Sequence, residues 1–210
     1  RSSIYPGTIR KIEKIFKKIN KNIVYCPERI LQGSALFELP NLPQILSGVN
    51  QRSIKMAKKF FLQVTKKIII TTTIEAELIK LFSNALRYIN FATSNEFYMI
   101  CKKFNISFSN VRDKMMQGYD RNKNLPIAGF AAGPCLVKDT MQLNSLLSGK
   151  FNMGRSALSI NEKFPNFLIS QLQKKYKIKK KNVGILGLAF KSNVDDIRDS
   201  LSFKLIKILD

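Results

Sequence analysis

Two spacings of apolar residues alternate over the first 72 positions. Threefold and fourfold spacing in "TIRKIEKIFKKI" and "NQRSIKMAKKFFLQV" predicts helices, whereas the short apolar runs "NIVYCPER", "PQILSG" and "KIIITT" predict strands. "RSSIYPGT" places Ser2 and Ser3 at a further strand edge. Alternation of this kind marks an α/β sheet.

The pattern changes at Thr73. "TIEAELIKLFSNALRYINFATSNEFYMICKKFN" has neither glycine nor proline and keeps helical spacing throughout, which predicts one long helix. Helices follow at "SFSNVRDKMMQ", "KDTMQLNSLLS" and "GRSALSINEKFPNFLISQLQKKY", with "GYDRNKNLPIAGFAAGPC" as a loop. After a basic turn, "VGILGLAF" predicts a strand, then a polar loop and a last helix. The predicted fold class is α/β with an all-helical middle: a sheet domain over residues 1–72, helices over 73–178, and the start of a second sheet domain over 179–210.

Composition is that of a globular chain, with 210 residues, 45% hydrophobic and 24% charged. The opening at Arg1 without a methionine and the uncapped run "SLSFKLIKILD" read as a piece of a longer protein. A net charge of +22 invites a nucleic-acid reading, but the lysines are scattered among Ile, Asn and Phe, as solvated helix faces are. Three widely spaced cysteines and no histidine exclude a disulfide framework and a metal signature, and suggest reduced thiols in a cytoplasmic setting. No apolar run approaches the roughly 20 residues that cross a bilayer.

The candidate chemistry starts at "GFAAGPCLVKDTMQL". Small neighbours leave the sulfur of Cys135 unhindered, with Lys138 and Asp139 within a turn, which suits a nucleophile; Cys26 and Cys101 read as structural thiols. Lys80 and Asn84 are four apart on the long helix and share a face. Lys80 lies among Leu78, Ile79, Leu81 and Phe82, so an ammonium facing inward there could stabilise an oxyanion. Glu28 follows a strand, where open α/β sheets bind ligands, or else it pairs with Arg29 or a lysine.

In chain order, "SSIYPGT", "CPERILQG", "EAELIKLFSNALRYINFATSNE", "GFAAGPCLVKDTMQL" and "VGILGLAFKSNVDDIRDS" together resemble the UDP-glucose/GDP-mannose dehydrogenase family of nucleotide-sugar 6-dehydrogenases. The resemblance covers nearly the whole chain. It implies a Rossmann-like NAD-binding domain ending near residue 72, central helices that build a homodimer through the long helix, and the start of a Rossmann-like UDP-sugar-binding domain. The implied reaction oxidises the C6 alcohol of a nucleotide sugar to a carboxylate with two NAD, for surface polysaccharide biosynthesis.

By the same resemblance Cys135 attacks the C6 aldehyde, through a thiohemiacetal and then a thioester. Lys80 and Asn84 stabilise charge on the C6 oxygen, Asp139 places water or acts as base, and Glu28 orders water and substrate. Ser3, Lys138 and Arg198 fall to NAD; Lys191, Gly129 and Arg121 fall to the substrate, Arg121 as an arginine lent by the partner subunit. Ser3 stands where threonine is common, and Gln32 where UDP-glucose-specific members have a second glutamate. Gln32 and the spelling "GFAAGPC" are closer to members that oxidise N-acetylhexosamine nucleotides, with UDP-glucose as the alternative substrate. The rival from another class is a basic nucleic-acid-binding module, which requires cations and aromatic residues gathered on one face.

Overall fold

The computed structural model describes residues 1–16, 18–19, 21–178 and 181–209. The chain forms two compact units, Arg1–Ser83 and Asn84 onward. The expected domain start at 179 falls on residues 179–180, outside the described ones. The fold is mostly helical with a small sheet.

In the first unit β1 (Val24–Tyr25), β2 (Gln44–Gly48) and β3 (Ile68–Ile70) form a sheet in that order. β1 and β2 are antiparallel, with Val24 opposite Gly48, while β2 and β3 are parallel, with Gln44 opposite Ile68. β2 is central and buried from Gln44 to Ser47. Its alternate residues feed two cores, as the twofold strand period requires: Ile45 joins Ile9, Tyr25 and Ala76, and Leu46 joins Cys26, Ala57 and Phe61. Helices α1 (Thr8–Phe16) and α3 (Gln51–Phe61) supply Ile9, Ala57 and Phe61. A further helix, α2 (Ala35–Asn41), runs through Pro40 in a stretch the apolar pattern does not mark.

The long helix α4 (Thr73–Lys103) begins at a reciprocal cap. Thr72 N–H donates to Glu75 Oε2 at 2.9 Å and Glu75 N–H to Thr72 Oγ1 at 3.3 Å. Hydrogen bonds from Thr71 and Thr72 hold the exposed Glu75 carboxyl down at about 2. Two residues on, buried Glu77 accepts from the N–H groups of Gly7 (2.6 Å) and Ile9 (2.8 Å), placing a carboxylate at the start of α1.

The second unit continues along α4 into α5 (Phe108–Met116), a 3-10 turn (Asp120–Asn122), α6 (Leu136–Leu146), α7 (Asn152–Lys175) and α8 (Leu201–Leu209). Tyr88, Ala92, Ala131, Leu136 and Ala157 form its core. Two expected strands are absent among the described residues. Residues 183–190 carry no strand, and Leu186 is wholly exposed, because an apolar run becomes a strand only where a neighbour takes up its backbone bonds. Residues 1–5 likewise form no ladder; they reach the end of β1 through single bonds, Glu28 N–H to Arg1 O (3.3 Å) and Tyr25 OH to Ser2 O (2.8 Å).

Candidate active site

The candidate residues fall into two groups, one in each unit. In the first, the chain leaves β1 through Cys26 and Pro27 to Glu28. Glu28 Oε1 accepts from the N–H groups of Arg29 and Ile30, both at 2.9 Å, and Oε2 pairs with Arg1 rather than with a lysine or the Arg29 guanidinium. Half-buried Lys80 donates Nζ–H to Glu28 O at 2.5 Å. That bond joins residues 52 apart and leaves the ammonium two further donors. Ser3 is half-buried and directly follows Ser2, whose carbonyl accepts from Tyr25 OH. Cys26 is buried; burial pushes its thiol up, partly offset by a hydrogen bond with the Ser47 backbone and the charge of Arg1. An open cavity of about 360 Å³, lined by Arg1, Cys26, Met56, Phe60 and Phe61, lies beside this thiol and not at Lys80.

In the second unit the loop enters the core at Ala131 and Ala132 and surfaces at Cys135, where α6 starts. Cys135 is exposed, whereas Cys101 is buried like Cys26. One turn into α6, Asp139 has no exposed surface. Its Oδ2 accepts from Asn84 Nδ2 at 2.6 Å and its Oδ1 lies 3.5 Å from Nζ of the half-exposed Lys138. Burying a carboxylate is costly unless donors replace its water, and an amide does so without adding charge.

Gly133 adopts a φ of +98°, and a Cβ there would come within 2.7 Å of the Phe190 ring. Its N–H donates to Asp199 O at 3.4 Å, while Phe190 N–H closes the following loop on Asp196 O at 3.0 Å. These contacts bring the stretch with Lys191 and Arg198 to the cysteine loop. Arg198 is raised from its ordinary value by its hydrogen bond to Asp196, then by that carboxylate's charge, with smaller contributions from Cys135 and Asp199. Arg198 and Asp196 are paired at 2.6 Å, and Lys191 is half-buried. Arg121 instead rests over the ring of its neighbour Tyr119, 5.6 Å from the centroid. Gly129 has both backbone polar groups bonded to Asn95, so its N–H is not available to a ligand.

The structure thus joins Glu28 with Lys80 in one group, and Asn84, Lys138, Asp139, Cys135 and Arg198 in the other. Asn84 follows Lys80 by one turn of α4. Sequence reasoning missed Asn95 and Phe190. The signal for Asn95 was its spacing of eleven from Asn84, close to three helical turns; Phe190 carried none.

Residues 74–163 match the UDP-glucose/GDP-mannose dehydrogenase family, central domain. A UDP-N-acetyl-D-mannosamine dehydrogenase from Methanococcus vannielii is 37% identical over 99% of this chain and 49% of its own length; one from Methanocaldococcus jannaschii is 32% identical over 100% and 49%. Among solved structures, the UDP-D-ManNAc dehydrogenase of Pyrococcus horikoshii superposes with a TM-score of 0.87 at 28% identity, covering 99% of this chain and 52% of that one. The Staphylococcus aureus UDP-N-acetyl-mannosamine dehydrogenase Cap5O gives 0.82 at 27%, covering 98% and 50%. The chain spans about half the length of the curated relatives it matches. Residues 74–163 are thus a central domain of the UDP-glucose/GDP-mannose dehydrogenase family, and the chain along its length is similar to about half of each of these dehydrogenases.

Proposed function

We propose that the full-length protein oxidises the C6 alcohol of a UDP-sugar, UDP-N-acetylmannosamine before UDP-glucose, to the carboxylate with NAD as acceptor. The observation that carries this reading is the pairing on α6: an exposed thiol at Cys135 and, one turn on, a fully buried carboxylate at Asp139 held by Asn84. The curated relatives named as UDP-N-acetyl-D-mannosamine dehydrogenases favour the N-acetylated sugar, in line with Gln32 in place of an acid.

In this reading Arg198, Lys138 and Ser3 are the residues that would hold NAD; Arg198 and Lys138 are exposed cations and Ser3 supplies a hydroxyl. When bound, NAD would supply the acceptor for the hydride that leaves C6 in each of the two oxidations. The Lys80 ammonium stabilises negative charge on the C6 oxygen as its proton leaves. The Cys135 sulfur then forms a bond to the aldehyde carbon while the carbonyl oxygen takes up a proton. The helix N-terminus at α6 favours the negative charge that develops there. Oxidation of this adduct leaves a thioester on Cys135, and water cleaves its C–S bond to give the carboxylate and the free thiol; Asp139 is the residue assigned as base and Glu28 the one assigned to ordering water and substrate. Lys191 and Arg121 serve the diphosphate, and Gly129 shapes the substrate loop.

α4 supports a homodimer. Phe82, Leu86, Phe97 and Ile100 are exposed by 54, 61, 41 and 50% and fall on one stripe of the helix. A second copy is the occupant that resemblance to the family implies. The test is to incubate the full-length protein with NAD and, separately, UDP-N-acetylmannosamine, UDP-N-acetylglucosamine and UDP-glucose, following NADH absorbance. Two NADH per molecule of the N-acetylmannosamine compound are expected; no NADH from any of the three would reject the reading.

A further inference from the structure

α4 touches the cysteine segment at two points. Asn84 donates to Asp139 at 2.6 Å, and eleven residues later Asn95 engages Gly129. Eleven residues make close to three turns, so both amides leave the helix on one face, about 16 Å apart along the axis. Asp139 lies four residues after Cys135, and Gly129 six before it. The helix therefore grips the segment on both sides of its exposed thiol.

The grip at Asn95 is a two-way bond. Asn95 has no exposed surface; its Oδ1 accepts from Gly129 N–H at 2.9 Å, and its Nδ2 donates to Gly129 O at 3.0 Å. Nδ2 also donates to Oδ1 of Asn161 at 2.9 Å, and Asn161, equally buried, donates to Tyr88 O at 3.1 Å. Ser94 beside it donates Oγ–H to Pro126 O at 2.7 Å. The Asn95 side chain acts on Gly129 as a neighbouring peptide would, which needs a donor and an acceptor side by side; leucine has neither and aspartate lacks the donor.

Two enclosed amides are costly unless every group is paired. Apolar side chains could fill the same space in many arrangements of the loop, whereas this network is satisfied by one orientation of Gly129. We propose that Asn95 is a positioning residue for Cys135: through Gly129 it fixes the start of the segment as Asn84 fixes its end, and so sets where the thiol is presented. The role in turnover rests on the reading of Cys135 as nucleophile; the clamp itself does not.

The test uses the full-length protein. In the unaltered protein, amide hydrogen exchange at Gly129 should be slowed at least about ten-fold against an open loop amide, although the residue belongs to no helix or strand. Exchange at the open-loop rate would overturn the clamp. Asn95→Leu and the double variant Asn95→Leu/Asn161→Leu are then alkylated with iodoacetamide and read peptide by peptide, with Cys26 and Cys101 reporting an intact fold. The double variant removes both amides together. With Cys26 and Cys101 still protected, its Cys135 alkylation rate should change by at least about three-fold, and kcat should fall about ten-fold or more with KM little moved. An unchanged Cys135 rate with the other two thiols protected would reject the positioning role. Should a variant expose Cys26 or Cys101, exchange at Gly129 in the unaltered protein still decides. A full-length protein without dehydrogenase activity would end the functional reading while exchange and alkylation still judge the clamp.

Discussion

The inner face of α4 buries amides alongside Leu81 and Tyr88, while its outer face exposes large apolar side chains. On one face Asn84, Tyr88, Asn95 and the small Ala85 and Ala92 are buried; on the other Phe82, Leu86, Phe97 and Ile100 face outward. Apolar burial normally drives large side chains in and amides out, each large apolar side chain contributing about 1.5–3 kcal/mol. The inner face departs from this because its amides have set partners, Asp139, Gly129 and Asn161. Among the described residues the outer stripe has no such account. The difference separates a face built to hold one loop from a face suited to a broad apolar contact.

If the inner face exists to present the cysteine segment, the largest effect belongs at its tip. Cys135→Ser should lower acid formation about a thousand-fold or more, since a hydroxyl is a far weaker nucleophile at its ordinary pKa. Cys135 is exposed, so the urea midpoint should stay in place. The measurement is acid product and NADH per sugar; undiminished acid would remove the reason for the inner face as argued here.

Asn84→Leu comes next. It takes away the amide that holds the enclosed Asp139 carboxylate and keeps the volume, so the loss is one of pairing and not of packing. Hydrogen bonds to charged groups contribute about 1.5–3 kcal/mol, and a loss of stability in that range should appear in urea unfolding. A change within about 0.5 kcal/mol would mean that Asn84 is no more committed than a residue of the outer face.

How much of this was legible in the sequence depends on the kind of signal. The apolar period located α1, α3, α4, α5, α6, α7 and α8, because each carries apolar residues at helical spacing. It could not say which face of α4 is inside, since apolar residues lie all round that helix and the facing is decided by partners far away in the chain. Asn84 standing alone reads as a surface amide; only Asp139, 55 residues on, gives it a reason to be buried. "VGILGLAF" has strand composition, but pairing is not a property of one segment, and without a neighbour it stays unpaired and exposed. The family motifs made Cys135, Asp139 and Lys80 visible through their order, whereas Asn95, although it falls near the end of "EAELIKLFSNALRYINFATSNE", carries no role until its partner Gly129, 34 residues on, is known.

A smaller effect tests the inner face through pH. Burial pushes the Tyr88 phenol up to about 12, and the charge of Glu162 adds to this. An acid with a raised pKa keeps its proton longer folded than unfolded. Its contribution is therefore complete below pH 10 and is lost as pH climbs toward 12. Tyr88→Phe should remove a pH-dependent loss on the order of 2 kcal/mol between pH 10 and 12, read as the difference in urea unfolding between the two proteins. Parallel pH profiles would place the phenol in contact with water and open the inner face at its centre.

The outer stripe gives the smallest expected effect on the chain and the sharpest contrast. Leu86 is 61% exposed, so Leu86→Glu should change the stability of a single chain by no more than about 0.5 kcal/mol. In an apolar contact between two copies the same carboxylate would have to lose its water without a partner, and symmetry would introduce it twice. The expected result is that the variant keeps its Cys135 alkylation rate while light scattering of the full-length protein shows half the mass. An unchanged mass would leave Phe82, Leu86, Phe97 and Ile100 as ordinary surface, and α4 would then be distinguished by its inner face alone.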